Sequence, residues 1–179
     1  VTQRMKTELQ QRASNKEFED PLLWCVHGGP GTGKSKVSLL IKELFAACGW
    51  QMGLEYQMAA LQAVMAEQLG GDTLHHACGI QWQQQKSGDD TGATSKRQSK
   101  VAERVMQWRW LIIDEVSMIS AQMLAEIDCK LRDVVRKLGT HKLDDKGIAR
   151  PFGGINVLFA GDFWQLDPPS GTSIATISV

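Results

Sequence analysis

Residues 22–35 read Leu22-Leu23-Trp24-Cys25-Val26-His27-Gly28-Gly29-Pro30-Gly31-Thr32-Gly33-Lys34-Ser35. An apolar run breaks into G-x-x-x-x-G-K-S, and helix-forming residues follow. The run Leu22–Val26, bounded by Pro21 and Gly28, predicts a short buried strand. Glycines then let the backbone curl so that its N–H groups point inward at a phosphate, beside the partial positive charge of a helix start. In such a loop Lys34 reaches the β- and γ-phosphates and the Ser35 hydroxyl ligates Mg²⁺. A chance glycine turn would lack the strand before and the helix after.

Beyond Ser35, Val37, Leu40, Ile41, Leu44 and Cys48 recur at helical spacing and predict one inner face, with Gly49 at the C-terminal cap. Residues 53–60 predict a second strand, 61–69 a helix, and Thr73–Cys78 a short turn or helix after Gly70-Gly71-Asp72. Residues 81–100 lack apolar periodicity and read as a flexible surface insertion. A helix around 99–108 leads into Trp110-Leu111-Ile112-Ile113, a buried strand. Ser120 is placed to N-cap a long helix whose inner stripe is Met123, Leu124, Ile127, Leu131, Val134, Val135 and Leu138, closed by Gly139. Ile155–Ala160 is the last strand. Strands alternating with helices predict an α/β fold with a mostly parallel sheet and helices on both faces.

Two strand ends carry further chemistry. The run Leu111-Ile112-Ile113 ends in Asp114-Glu115, which puts two carboxylates at the carboxyl edge, where open α/β sheets bind ligands. Asp114 in that place holds Mg²⁺, and Glu115 orients and deprotonates an attacking water. The strand ending at Ala160 runs into Gly161-Asp162-Phe163-Trp164-Gln165-Leu166-Asp167-Pro168, so the Gln165 amide can approach a γ-phosphate.

Composition sets the outer bounds. The chain has 179 residues, enough for one domain with a real core, and 42% hydrophobic content is ordinary. Lys plus Arg and Asp plus Glu are 20 each, so bulk charge does not mark a nucleic-acid partner. Cys25, Cys48, Cys78 and Cys129 lack metal-ligand spacing and lie in apolar segments, which predicts buried free thiols in a reducing compartment. No secretory or membrane-spanning segment is evident, and the expectation is an intracellular protein without a membrane partner. Trp24, Trp108 and Trp110 read as core. Trp164, in a strand-end loop, is a candidate for stacking on a nucleic-acid base. Arg132, Arg136 and Lys137 read as a solvated helix face.

Gly28–Ser35, Asp114-Glu115-Val116-Ser117, and Phe152-Gly153-Gly154 leading to Gly161–Leu166 together resemble the Pif-type DNA helicases. These are superfamily-one motors that travel 5′ to 3′, and the group includes the helicase regions of Helitron transposons. The likeness runs from about residue 22 to 168. It implies a RecA-like P-loop NTPase domain, Mg·ATP hydrolysis, and single-stranded or duplex DNA as partner, with a single strand crossing the top of the sheet. It assigns Lys34 and Ser35 to phosphate and metal, Asp114 to Mg²⁺, Glu115 as catalytic base and Gln165 as γ-phosphate sensor. A eukaryotic member is expected in the nucleus or mitochondrion, in repair, recombination, telomere maintenance or transposition.

Departures from the family pattern matter too. Thr73 and His75 match a Thr-x-His signature associated with DNA contact, yet Leu61-Gln62 stand where Thr-Gly is usual. A His pair capping a buried turn is the competing reading. Only Gln10 and Gln11 offer a glutamine for reading adenine. Nothing after Pro169 resembles a second RecA-like domain, which the family uses to supply an arginine finger, and Arg150 looks wrongly placed for that role. Val1 and Val179 read as cut ends. The expected organisation is a helical or linker segment at 1–20, the motor domain at 21–169, and a truncated tail at 170–179. Such a piece should bind Mg·ATP and hydrolyse it slowly. A P-loop ATPase acting on protein, and a non-catalytic nucleotide-binding remnant of a mobile element, remain as alternatives.

Overall fold

The structure, a computed structural model, describes residues 1–14, 20–80, 101–138 and 143–176, apart from the side chains at 9, 11–14 and 135–138. The region 81–100 and Gly139 lie outside the described residues. Elements run α1 (Thr2–Ser14), β1 (Leu23–His27), α2 (Lys34–Ala47), β2 (Tyr56–Ala60), α3 (Ala63–Gln68), β3 (Asp72–Thr73) and α4 (Leu74–Cys78). They continue with α5 (residues 101–105), β4 (Trp110–Asp114), α6 (Ala121–Leu138) and β5 (Asn156–Gly161). The five strands form one sheet in the order β1-β5-β4-β2-β3, and every pairing is parallel.

Alternation along β4 divides the core. Leu111 and Ile113 face one cluster with Leu74, Ala77, Val105, Ile127 and Leu131 from α4, α5 and α6, and with Trp108 from the turn after α5. Trp110 and Ile112 face the other with Met5, Ile41, Phe45, Tyr56 and Met58, under α1 and α2. Both faces are covered, so the central strands read as continuous apolar runs. Phe45 anchors the second cluster with its ring centroid 4.9 Å from Tyr56, 5.1 Å from Trp50 and 5.7 Å from Trp110. Asn156 fastens the amino edge: its Oδ1 accepts from Leu22 N–H (2.9 Å) and Arg4 Nε (3.1 Å), and its Nδ2 donates to Arg109 C=O (3.0 Å) and to Glu8.

Several expectations need correction. Among the described residues β1 pairs with β5 alone, at the edge of the sheet, so Leu23 and Trp24 are exposed, Trp24 by 54%, and this is not the buried strand the apolar run predicts. On α2 the buried residues are Ser38, Ile41 and Phe45, while Val37, Leu40 and Cys48 face outward. Apolar spacing marks a stripe, but the helix is rotated so that Phe45 inserts between Tyr56 and Trp110. Only Cys78 is a buried thiol; Cys25, Cys48 and Cys129 are exposed. Burial pushes the Cys78 pKa up to about 12. The second strand starts at Tyr56, because Gly53 (φ +87) turns the chain and its N–H bonds Tyr56 C=O at 2.8 Å. Ser120 caps α6 as expected, its Oγ accepting from Met123 N–H at 3.2 Å.

Candidate functional site

Register places the motifs on one edge. Ala60 pairs with both Thr73 and Asp114, Ile113 pairs with Phe159, and Val26 and His27 pair with Ala160 and Gly161. The exits of β1, β5, β4 and β3 therefore line up at the carboxyl edge. At about 4.8 Å between strands, β5 stands between the phosphate loop and the Asp114 turn, with Thr73 about 10 Å beyond Asp114.

Gly31 (φ +72) and Gly33 (φ +94) occupy left-handed backbone, which disfavours any other residue. Gly33 is the N-cap of α2, and Val37 N–H bonds its carbonyl at 3.0 Å. Thr32 Oγ1 donates to Gly29 C=O at 2.8 Å, and Lys34 Nζ donates to Gly28 C=O (2.6 Å) and Gly29 C=O (2.9 Å). Those bonds close the loop around the ammonium. Ser35 is exposed on the first turn of α2, where amide N–H groups lack intrahelical partners.

Asp114 is buried at the end of β4, and its Oδ1 accepts the Glu115 N–H at 3.0 Å. Burial raises its pKa, opposed by that hydrogen bond and by Lys34. Glu115 holds a left-handed conformation (φ 52, ψ 45) before the 3₁₀ turn Val116–Met118. Burial raises the Glu115 pKa and Asp114 adds to the rise; Lys34 opposes it and Asp162 reinforces it. One lysine and three acids thus share one electrostatic neighbourhood. A non-glycine residue held in left-handed backbone costs about 1–2 kcal/mol, and such strain clusters at functional sites. Beside it the Ser117 hydroxyl is buried, with no hydrogen-bond partner among the described residues.

The β5 exit packs tightly on this turn. A Cβ at Gly161 would meet Val116 Cγ1 and Val116 N, each at 2.9 Å. Asp162 is 1% exposed; its Oδ1 accepts Trp164 N–H at 3.0 Å and its C=O accepts Gln165 N–H at 3.1 Å. Phe163 stacks on His27 at 5.5 Å. Gln165 is exposed beside Trp164, which is 87% exposed.

Thr73 and His75 lie farther along the edge and are already engaged. Thr73 Oγ1 caps α4 by accepting His76 N–H at 3.3 Å, and His76 pairs with Asp72. Burial lowers the His75 pKa, against the pull of Glu126. Arg150 is buried before β5, near Asp20 at 3.5 Å, on the amino side of the sheet and remote from the phosphate loop. Arg4 and Glu8 of α1 also sit at that amino edge. The role of Asp162 and the His27–Phe163 stack were not singled out from sequence. An Asp two residues before a main-chain donor, at a strand exit, is the signal for the first. The stack joins residues too distant in the chain to leave one.

A parallel sheet with a phosphate loop after β1, an acidic pair after β4 and a third loop after β5 defines a RecA-like P-loop domain. The PIF1-like helicase profile matches residues 6–177. This chain belongs to the PIF1-like helicase family. It is 33% identical over 150 residues to the ATP-dependent DNA helicase PIF1 of Saccharomyces cerevisiae, covering 80% of this chain and 15% of that protein. It is 33% identical over 146 residues to the S. cerevisiae ATP-dependent DNA helicase RRM3, covering 79% and 18%. The chain thus spans about a sixth of these relatives. Among solved structures, Pif1 helicase from Candida albicans superposes with a TM-score of 0.59 at 28% identity, over 95% of this chain and 34% of that one. Pif1 from Bacteroides, solved with ADP-AlF3 and ssDNA, gives 0.57 at 26% identity, over 91% and 33%.

Proposed function

We propose that this chain is the N-terminal motor domain of an ATP-dependent DNA helicase, binding Mg·ATP at the carboxyl edge of its sheet. The observation that carries the reading is the sheet register, which brings the phosphate loop after β1, the Asp114-Glu115 turn after β4 and the Gly161-Asp162 exit of β5 to one carboxyl edge. The donor set suits Mg²⁺, which favours one or two carboxylates with phosphate oxygens and water over an all-protein cage. Among the described residues no group of three or more His, Cys, Asp or Glu could hold a metal by itself. Ser35 and Asp114 are the residues that would hold Mg²⁺. When bound it neutralises charge on the polyphosphate.

The residues of Gly28–Ser35 cradle the phosphates with main-chain N–H groups, and Lys34 leaves the Gly28 and Gly29 carbonyls for β- and γ-oxygens. Glu115 accepts a proton from the attacking water; its raised pKa makes it a better base than a surface carboxylate. Gln165 hydrogen-bonds the γ-phosphate or water and distinguishes the states before and after hydrolysis. Single-stranded DNA crosses the same edge, with Trp164 stacking on a base and Thr73 and His75 at a second contact. In this reading a second RecA-like domain supplies the arginine for full turnover and the relative movement that unwinding needs. Translocation runs 5′ to 3′, by likeness to the family. A DNA substrate puts the protein inside the cell, in the nucleus or mitochondrion of a eukaryote. Among the described residues no helix is long and apolar enough to cross a membrane.

The test is fluorescent-nucleotide titration of this chain with and without Mg²⁺, alongside Lys34→Ala. Mg²⁺-dependent binding lost in the variant is the expected result, with slow hydrolysis. Equal binding by both chains, or stimulation by a polypeptide rather than by single-stranded DNA, would overturn the assignment.

A further inference from the structure

Lys42 ties the helix of the phosphate loop to a turn on the far side of the sheet. It lies about 12 Å along α2 from Lys34, at 1.5 Å per residue, and its half-buried Nζ donates to Leu69 C=O at 2.8 Å. The acceptor stands at the end of α3. Gly70, with φ +63, and Gly71 close that helix: Gly70 N–H bonds Glu67 C=O and Gly71 N–H bonds Ala66 C=O, each at 2.8 Å. This closing pattern satisfies carbonyls further back and leaves the Leu69 carbonyl, at the negative end of the helix, to an outside donor.

The turn is wedged from two directions. A Cβ at Gly70 would lie 2.8 Å from Lys42 Nζ, and a Cβ at Gly71 would strike the Met58 carbonyl of β2. β3 begins at the next residue, with Asp72 in register with Ala59 and Thr73 with Ala60. Thr73 then caps α4, and His75 is the second residue of that helix. From α2, Lys42 therefore braces the turn on which Thr73 and His75 stand.

We propose that Lys42 is a positioning residue for a single-strand contact at Thr73 and His75. The proposal rests on the strand contact assigned to those two residues above. Lys42 falls outside the phosphate loop, the acidic pair and the β5 exit, and it acts through Leu69 rather than on either ligand. Without its ammonium the Leu69 carbonyl loses a donor, and the turn carries β3 and the start of α4 out of place. Two simpler roles compete. A plain cap of α3 would affect stability alone, and a plain surface charge would attract nucleic acid through its phosphates.

Lys42→Met keeps the side-chain stem and removes the donor, Lys42→Arg keeps a donor, and Gly70→Ala keeps the ammonium but crowds it. Ile41→Val, a buried change on the same helix, controls for stability. Each chain is titrated with a fluorescent oligo-dT over a salt series, beside fluorescent Mg·nucleotide binding and thermal melting. Lys42→Met and Gly70→Ala should bind oligo-dT about fivefold more weakly, with Mg·nucleotide affinity within about twofold of the parent, a usual size for residues that act on a site without touching its ligand. Lys42→Arg should restore binding, and Ile41→Val should keep it. The salt dependence of oligo-dT binding should have the same slope in Lys42→Met as in the parent. A slope smaller by about one makes Lys42 a phosphate contact and overturns the proposal. Parent-like binding by Lys42→Met overturns it too, as does a loss in Ile41→Val equal to that in Lys42→Met, which would reduce the effect to stability. Should Gly70→Ala not fold, the Met and Arg pair decides. A parent chain that binds Mg·nucleotide but not oligo-dT removes the strand contact, and this proposal with it, while leaving the nucleotide site standing.

Discussion

Gly161→Ala tests whether the β5 exit and the acidic turn are one packed unit. The added methyl would lie 2.9 Å from Val116 Cγ1, 2.9 Å from Val116 N and 3.4 Å from Ser117 N. Two of those three atoms are backbone, so no rotamer change clears the clash, and on its other side Gly161 is held in register with His27. The turn must move by several tenths of an ångström. Overpacking of this kind costs about 1–3 kcal/mol. For a domain of this size, about 2 kcal/mol corresponds to a fall of about 4–8 °C in melting temperature. Because the shifted amide adjoins Glu115, Mg·ATP turnover should drop further than stability implies, by about tenfold, short of the roughly 10²-fold loss that a full 1 Å displacement brings. Thermal melting and phosphate-release assays on the same samples read both. Gly29→Ala is the control for melting: nothing lies within 4 Å of its Cβ position and its φ is not positive, so stability should stay within about 0.5 kcal/mol. If Gly161→Ala melts with the parent chain and turns over normally, the tight junction between the two exits does not exist.

Lys34→Ala should reduce Mg·ATP affinity at least about tenfold, the loss expected for a charge-assisted phosphate contact of about 1.5 kcal/mol or more, with little change in melting; calorimetry reads the first and thermal scanning the second. Asp114→Asn should stabilise the Mg²⁺-free chain at neutral pH by about 1 kcal/mol while lowering Mg²⁺-dependent nucleotide affinity. Its pH dependence has a definite sign. The folded pKa is raised above the ordinary 3.8, so the folded state holds its proton longer and the parent loses stability as pH climbs from about 4 through that raised value. Urea titrations across that range should show the Asn variant's advantage vanish below it, and an advantage that grows on acidification would contradict the burial cause. Phe45→Ala empties the centre of an aromatic cluster and should cost about 3–5 kcal/mol in chemical unfolding.

What was legible in the sequence follows from how local each signal is. Gly28–Ser35, the Asp114-Glu115 pair and Gly161–Leu166 each announce themselves within eight residues, because a strand exit, a turn and its side chains are fixed by neighbours in the chain. The parallel architecture followed from alternating elements, and Trp108 and Trp110 proved fully buried. Trp24 was misread because burial of β1 depends on its place in the sheet order, and an apolar run cannot reveal that the strand lies at an edge. Leu40, 53% exposed, failed for a related reason. Helical spacing identifies apolar residues on α2, but the choice of inward face was made by Phe45 meeting Trp50, Tyr56 and Trp110, contacts reaching up to 65 positions along the chain. Thr73 carries a familiar signature and also caps α4, a structural use that the sequence could not distinguish from a contact with nucleic acid.

The charge pattern at the carboxyl edge would favour, in the proposed site, a polyphosphate that arrives with a metal. Asp114, Glu115 and Asp162 contribute three formal negative charges and Lys34 one positive, so 3 − 1 leaves two negative charges around the loop. A bare triphosphate entering that neighbourhood meets repulsion that Lys34 and the α2 terminus only partly offset. A polyphosphate that arrives with a divalent cation reverses the balance, since the buried Asp114 carboxylate then gains the positive partner its desolvation calls for. In the proposed site, selectivity for the complexed over the free nucleotide would arise from acids packed beside a phosphate loop. The desolvation that raises the Asp114 pKa when the carboxylate is alone would be offset, in the proposed site, by the cation that accompanies the nucleotide.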